Sequence, residues 1–258
     1  MKSITLYEDK NSILNKLSPE AKMLYVAAAI IISVVSETKS VGIGFILFSI
    51  LLLSTSNVIK KTLPILMMSG FVMCTVTIIQ GMFRAGNVTP VFNIGPAVFY
   101  REGLLFAFNI AVNIINILLS FCVLVLTTKP SDMMENFIRK GFSSRIGYVF
   151  ISIFEIIPQM TETMSTIMDA QKSRGMETEG NLLVRMKAFI PLISPVVMSS
   201  LVNTKERAMA LEVRGFNAKN KKTFLNEEKK SKADNIIKIV LLSAIVIVVS
   251  WRVGLWLK

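Results

Sequence analysis

The sequence predicts an all-α integral membrane protein, with about five transmembrane helices of roughly 20 residues each and a module of long amphipathic helices outside the bilayer. Three observations predict it. Hydrophobic residues make up 52% of the 258 positions, with a mean hydropathy of +0.58. They gather into apolar runs that approach bilayer length, at 21–35, 41–53, 63–83, 103–126 and 236–257. Between the last two runs, residues 130–217 are polar and carry apolar positions at helical spacing rather than in alternation.

The first run is preceded by Ser18-Pro19-Glu20, an N-cap, a proline at the first helical position and an acid in the first turn. Runs 21–35 and 41–53 are short and are separated by the polar 36–40, so they read as two thin spans, with a re-entrant hairpin as the alternative. Lys60-Lys61 then marks the cytoplasmic side by the positive-inside rule. Run 63–83 is a clear span, and 84–102, punctuated by Gly86, Pro90, Gly95 and Pro96, reads as a loop. Within 103–126, Asn109, Asn113, Asn116 and Ser120 fall on one helix face. In lipid such a stripe turns inward, either as glue to a neighbouring helix of the same chain or as a contact for a second membrane protein. The last span, 236–257, ends in Trp251, Arg252, Trp256 and Lys258, an interfacial anchor of aromatics and cations. With the N-terminus cytoplasmic, five spans place those cations on the less favoured side.

The polar segment opens with Ser131 as N-cap and Asp132 and Glu135 in the first turn of a short helix that stops at Gly141. A long amphipathic helix follows over 147–172, with Phe150, Phe154 and Ile157 on its apolar side and Pro158 placed to kink it. Glu155 lies in an otherwise apolar turn, so it either pairs with Arg145, Arg185 or Lys187 or faces water at the interface. Pro191 and Pro195 break 182–195 into short pieces, after which a helix resumes from 196. Two echoes close the two long helices: Ala170-Gln-Lys-Ser173-Arg174-Gly175 and Ala210-Leu-Glu-Val213-Arg214-Gly215. Glycine relaxes into the left-handed cap of a helix end, and a cation sits well on the negative end of the helix dipole, so each arginine is held at a tip. A single Arg-Gly is ordinary helix termination; the repetition is the signal.

On these residues the chain resembles the transmembrane energising (T) component of energy-coupling-factor transporters, including the cobalt and biotin types. Ser173-Arg174-Gly175 and Val213-Arg214-Gly215 stand where that family has its two signatures, although the residue before each arginine is usually alanine there. The likeness extends from Ser12 through Arg101-Glu102-Gly103-Leu104 and Thr127-Thr128-Lys129-Pro130 to Gly215, with Lys222-Thr223 as a further counterpart. It implies a membrane domain over 1–128, a cytoplasmic coupling module over 129–217, a charged linker over 218–235 and a last span over 236–258. It also implies a non-enzymatic subunit of an importer of vitamins or metal ions in a prokaryotic cytoplasmic membrane. The implied partners are two ABC-type ATPases, which would hold Ala170, Ser173, Arg174, Gly175, Ala210, Val213, Arg214 and Gly215, and a substrate-binding membrane (S) subunit, which Asn109, Asn113 and Asn116 would meet. No cofactor is expected on this chain; ATP and Mg would belong to the ATPases, since no Walker A pattern occurs here.

Other classes fit less well. The net charge of +12 is not a nucleic-acid patch, because most of the cations lie in 129–232 interleaved with most of the acids. The chain has no histidine, which removes His-based catalytic triads and His-built zinc sites, and Cys74 and Cys122 sit inside apolar runs without partner spacing, so no metal site is expected. The permease of an ordinary ABC importer would have one coupling helix rather than two arginine tips. A lipid-modifying enzyme would need clustered acids or a nucleophile and base at a membrane face, and the acids here are dispersed.

Overall fold

The computed structural model describes residues 12–36, 38–94, 97–176, 181–218, 223–224 and 232–256. Lys222, Lys258, Gly95 and Pro96 lie outside them, as do the side chains of Arg185, Lys187 and Trp256. In chain order the elements are α1 (Ile13–Lys16), α2 (Pro19–Ser36), α3 (Lys39–Thr55), α4 (Ile59–Phe83), β1 (Pro90–Ile94), β2 (Ala97–Tyr100), α5 (Arg101–Thr127), α6 (Pro130–Arg139), α7 (Ser144–Ser173), α8 (Leu182–Val213) and α9 (Lys232–Trp256). They gather into two units, one within 5–133 and 228–258, the other within 134–227.

The first unit is a helical bundle. Its α2 starts as the sequence expects, with Pro19 at the first position and the Ser18 hydroxyl accepting from the Ala21 N–H at 3.4 Å. Helices α2, α4 and α5, with Asp234–Leu255 of α9, are long and apolar enough to cross a bilayer. The 17 residues of α3 rise only about 26 Å against a hydrocarbon core of about 30 Å, so it is the thin fifth member foreseen in run 41–53. At the centre, α2 packs against α3, α5 and α9, and α5 packs in turn against α3 and α4. Leu53, Leu119, Val123 and Leu126 are buried together in the core.

Inside lipid, apolar packing alone does not choose a register, because tails solvate leucine as well as another helix does. The choice falls to polar bonds and to close backbone approach. Fully buried Asn116 donates its amide to the Ala29 carbonyl at 2.8 Å, and the Ser33 hydroxyl donates to Asn113 Oδ1 at 3.1 Å. Tyr25 and Ser49 share a hydrogen bond of 2.7 Å, and buried Lys22 donates to the Thr127 carbonyl at the end of α5 at 2.8 Å. Glu20 and Lys238 pair α2 with α9, and Asp234 accepts from the Ser18 N–H at 3.4 Å. Where α4 meets α5, a Cβ on Gly103 would stand 2.1 Å from the Gln80 carbonyl oxygen, so only glycine permits that approach.

Three local expectations need correction. The stretch 84–102 is not a plain loop: β1 and β2 form an antiparallel hairpin in which Phe92 pairs with Phe99 and a bulge lies between Pro90 and Phe92. Val91, Phe92, Val98, Phe99 and Tyr100 are strand formers, and they outweigh the breakers around them. The second correction is at α6, which begins at Pro130, so Ser131 lies inside the helix rather than capping it. The third is that Pro191 and Pro195 do not divide their segment, because α8 runs unbroken for 32 residues. Each interior proline costs about 3 kcal/mol, and burial of Leu192 and Val196, one turn apart between and beyond the two prolines, offsets that cost.

Replacing Gly103 by Val is expected to destabilise the protein in detergent by about 1–3 kcal/mol through overpacking, and Asn116→Ala by about 1 kcal/mol through the lost bond to Ala29. Gly44→Ala, inside α3 where an added Cβ meets nothing within 4 Å, is expected to raise the unfolding midpoint slightly, since alanine is favoured over glycine within a helix by about 0.5–1 kcal/mol. Denaturant melts monitored by circular dichroism check all three.

Candidate functional site

The second unit is dominated by α7 and α8, which run antiparallel, since Tyr148 meets Phe216 while Gln159, further along α7, meets Arg207, earlier on α8. Near one end the rings of Tyr148 and Phe216 pack at a tilt, 5.3 Å between centroids; further along, Arg207 lies between Gln159, at 2.8 Å, and Glu155, at 3.5 Å. The reading of Glu155 is corrected in part. Among the described residues its partner is Arg207 of the opposing helix rather than Arg145, the side chains of Arg185 and Lys187 lying outside them, and at 61% exposed it faces water, as the alternative reading expects. A polar groove of about 640 Å³ runs between the two helices beside this clasp, lined in part by Gln159, Glu162, Asn203 and Glu206. Neither α7 nor α8 is among the described helices apolar enough to cross a membrane, yet both expose large apolar side chains, including Phe150 and Phe154 on α7 and Met198 and Leu201 on α8.

Both helices end in the same hydrogen-bond pattern. After α7, the Met176 N–H donates to the Gln171 carbonyl at 3.1 Å and the Gly175 N–H to the Lys172 carbonyl at 3.0 Å; after α8, Phe216 donates to Leu211 at 2.9 Å and Gly215 to Glu212 at 2.9 Å. These are paired six-to-one and five-to-two bonds, the Schellman arrangement, which needs a left-handed residue at the position after the cap. Gly175 and Gly215 supply it with φ of +85° and +71°. The residue just before each glycine is the helix cap itself, Arg174 and Arg214. Each guanidinium therefore projects from a helix end whose carbonyls are the negative pole of the dipole.

Ala170, Ser173, Arg174 and Gly175 are exposed at the first tip, as are Ala210, Val213, Arg214 and Gly215 at the second. The Ser173 hydroxyl donates to the Asp169 carbonyl at 3.0 Å, so it adds little polar surface beside Arg174, whereas Val213 stands 90% exposed beside Arg214. Among the described residues neither arginine has an ion pair or hydrogen bond from its side chain. The structure does not bring the two tips together. Phe216 lies opposite Tyr148, so Arg214, two residues earlier, lies level with about residue 150, and the 24 residues from there to Arg174 put the arginines roughly 36 Å apart along the pair at 1.5 Å per residue.

The asparagine stripe divides. Asn113 and Asn116 are committed to α2 by the bonds described above, and Asn109 is half-buried one turn nearer the start of α5. The Arg207 clasp escaped the sequence reading. Glu155 and Gln159 one turn apart on α7 were the only trace of it, and nothing local points to a partner some 50 residues away.

Replacing Gly175 or Gly215 by alanine forces a side chain into the left-handed region, at about 1–2 kcal/mol each. The amides of Met176 and Phe216, respectively, are expected to exchange hydrogen faster in these variants, which mass spectrometry of the deuterated protein would read, while exchange in α2 and α5 stays unchanged.

The family described as "Cobalt transport protein" (CbiQ) matches residues 10–224. Among similar proteins are three named "Energy-coupling factor transporter transmembrane protein EcfT". That of Brevibacillus brevis is 27% identical over 97% of this chain and 98% of its own. That of Clostridium kluyveri is 27% identical over 98% of each chain, and that of Lactococcus lactis subsp. cremoris is 26% identical over 95% and 96%.

Proposed function

The chain belongs to the cobalt transport protein (CbiQ) family, and from that premise we propose that its two arginine tips couple two ABC-type ATPase subunits to a separate substrate-binding membrane subunit. It is a transmembrane component of an energy-coupling-factor transporter, a non-catalytic part of a larger complex. The finer reading is carried by one observation: two identically capped helix ends, each displaying an arginine, stand roughly 36 Å apart at opposite ends of one antiparallel pair. That separation is about the diameter of a small domain, so the two arginines reach two separate subunits rather than one shared pocket.

Chemistry and geometry then set the rest of the reading. A guanidinium is planar, permanently charged and able to bond a carboxylate through two parallel N–H donors, which suits an acidic groove on each ATPase. ATP is cytoplasmic, so both tips face the cytoplasm. When the ATPases close on nucleotide, the tips they grip are drawn together and α7 slides or tilts against α8. The exposed apolar faces of the two helices pass this motion to the substrate-binding subunit, with Asn109 as a further contact on α5. ATP and Mg reside on the ATPases, and a vitamin or metal ion on the substrate-binding subunit; this chain binds neither. The setting is the cytoplasmic membrane of a prokaryotic cell.

Arg174→Glu and Arg214→Glu are each expected to weaken ATPase binding at least about tenfold, since loss of one partner of a desolvated ion pair costs about 2–5 kcal/mol. The double variant should still insert in the membrane but co-purify without ATPase; ATPase recovered at the wild-type ratio would refute the coupling role. In calorimetry the isolated chain is expected to bind no vitamin or metal ion, and a saturable isotherm with either would place substrate recognition on this subunit instead.

A further inference from the structure

Between α4 and α5 stands the one piece of β-structure among the described residues, at the ends of those helices remote from Thr127. It is anchored rather than loose. Phe99 is buried over α4, so that a Cβ on Gly81 would meet its ring at 2.9 Å, directly beside the close approach of Gly103 to Gln80. The Glu102 carboxylate accepts from the N–H groups of Val88 and Thr89 at 3.3 and 3.2 Å and from the Thr89 hydroxyl at 2.5 Å. The acid of this region is thereby used inside the hairpin.

Beyond Phe99 the hairpin is apolar and open. Phe92 stacks on Phe99 at 4.7 Å yet remains exposed, as do Val88 and Val91, and Phe83 at the last position of α4 is 75% exposed. This patch continues the exposed apolar surface of α4, where Phe71 and Ile79 also face outward. Cations mark the same level: the Arg84 guanidinium lies 3.6 Å from the Phe106 ring centroid, Lys39 Nζ 5.8 Å from that of Phe108, and Arg101 follows β2 directly. Aromatics and aliphatics with cations at their edge are the composition that settles at the boundary between acyl chains and phosphate groups.

We infer that the hairpin is a lipid anchor: it lies in the phospholipid headgroup layer on the bilayer face remote from Thr127, with Val91 and Phe92 at the acyl boundary and Arg84 and Arg101 toward lipid phosphates. The occupant is lipid because the patch is continuous with the lipid-facing side of α4 and because the cations complement phosphate once Glu102 is consumed within the hairpin. A rigid plate held there fixes the depth of α4 and α5 in the bilayer.

The test uses the full-length chain with Trp251 and Trp256 replaced by Phe and a single reporter, Phe92→Trp, reconstituted in phosphatidylcholine vesicles that contain brominated lipids. Emission is expected to shift to the blue relative to tryptophan in water and to lose most of its intensity to lipids brominated near the headgroup, with less loss to lipids brominated deep in the chain. Phe71→Trp, in mid-α4, should show the reverse order, and Val91→Trp reports on the same patch should Phe92→Trp fail to fold. Emission at the aqueous wavelength, quenched by iodide and not by brominated lipid, would overturn the assignment. So would iodide quenching that disappears only when the other transporter subunits are added, since the occupant would then be protein.

Discussion

Both arginine tips owe their positions to the antiparallel register of α7 against α8. The chain reverses between them, so the first tip lies at the turn and the second at the far end. The Arg207–Glu155 pair that marks this register is exposed, and such a pair is worth about 1 kcal/mol or less. Its role is to select among registers rather than to hold the helices together. Sliding α8 by one turn would separate Arg207 from Gln159 and Tyr148 from Phe216 at once, so two unrelated contacts agree on a single alignment. A pair of helices joined in this way can shift as rods while each tip keeps its own internal cap, because the cap bonds reach back no further than five residues.

The membrane unit solves a different problem with similar economy. Lipid gives no premium to apolar contact between helices, so specificity resides in a few buried polar bonds and a few glycines. Asn116, Ser33 with Asn113, and Tyr25 with Ser49 fix α2 against α5 and α3; Lys22 fixes α2 to the last turn of α5. Lys22 also meets the dipole of α5 at its negative end, where a cation is favoured. The end of α5 from which the chain leaves for α6 is thus tied to the centre of the bundle.

What could be read from the sequence was local or periodic. The spans follow from run length, and the two arginine caps follow from glycine placed one step beyond a helical pattern, a signal complete within six residues. What escaped depends on partners distant in sequence or on tertiary packing that overrides propensity. Arg207 is the partner of Glu155 only once the helices have folded back on one another. Continuity of α8 through Pro191 and Pro195 depends on burial of Leu192 and Val196, which a local reading cannot weigh. The breakers Gly86, Pro90, Gly95 and Pro96 hid the hairpin, although short runs of strand formers on either side of Gly95-Pro96 were present to be read. The spacing of the tips, the feature with most bearing on function, belongs to the second class, since two motifs 40 residues apart could equally have met or parted.

The most direct measurement is the distance between the tips in the intact protein. With Cys74 and Cys122 replaced by serine, spin labels at Ser173 and Val213 can be read by pulsed dipolar spectroscopy in lipid nanodiscs. A dominant population near roughly 36 Å is the result the antiparallel register requires. A dominant population below about half that length, 18 Å or so from the same rise per residue, would mean that the tips lie side by side and that one subunit holds both.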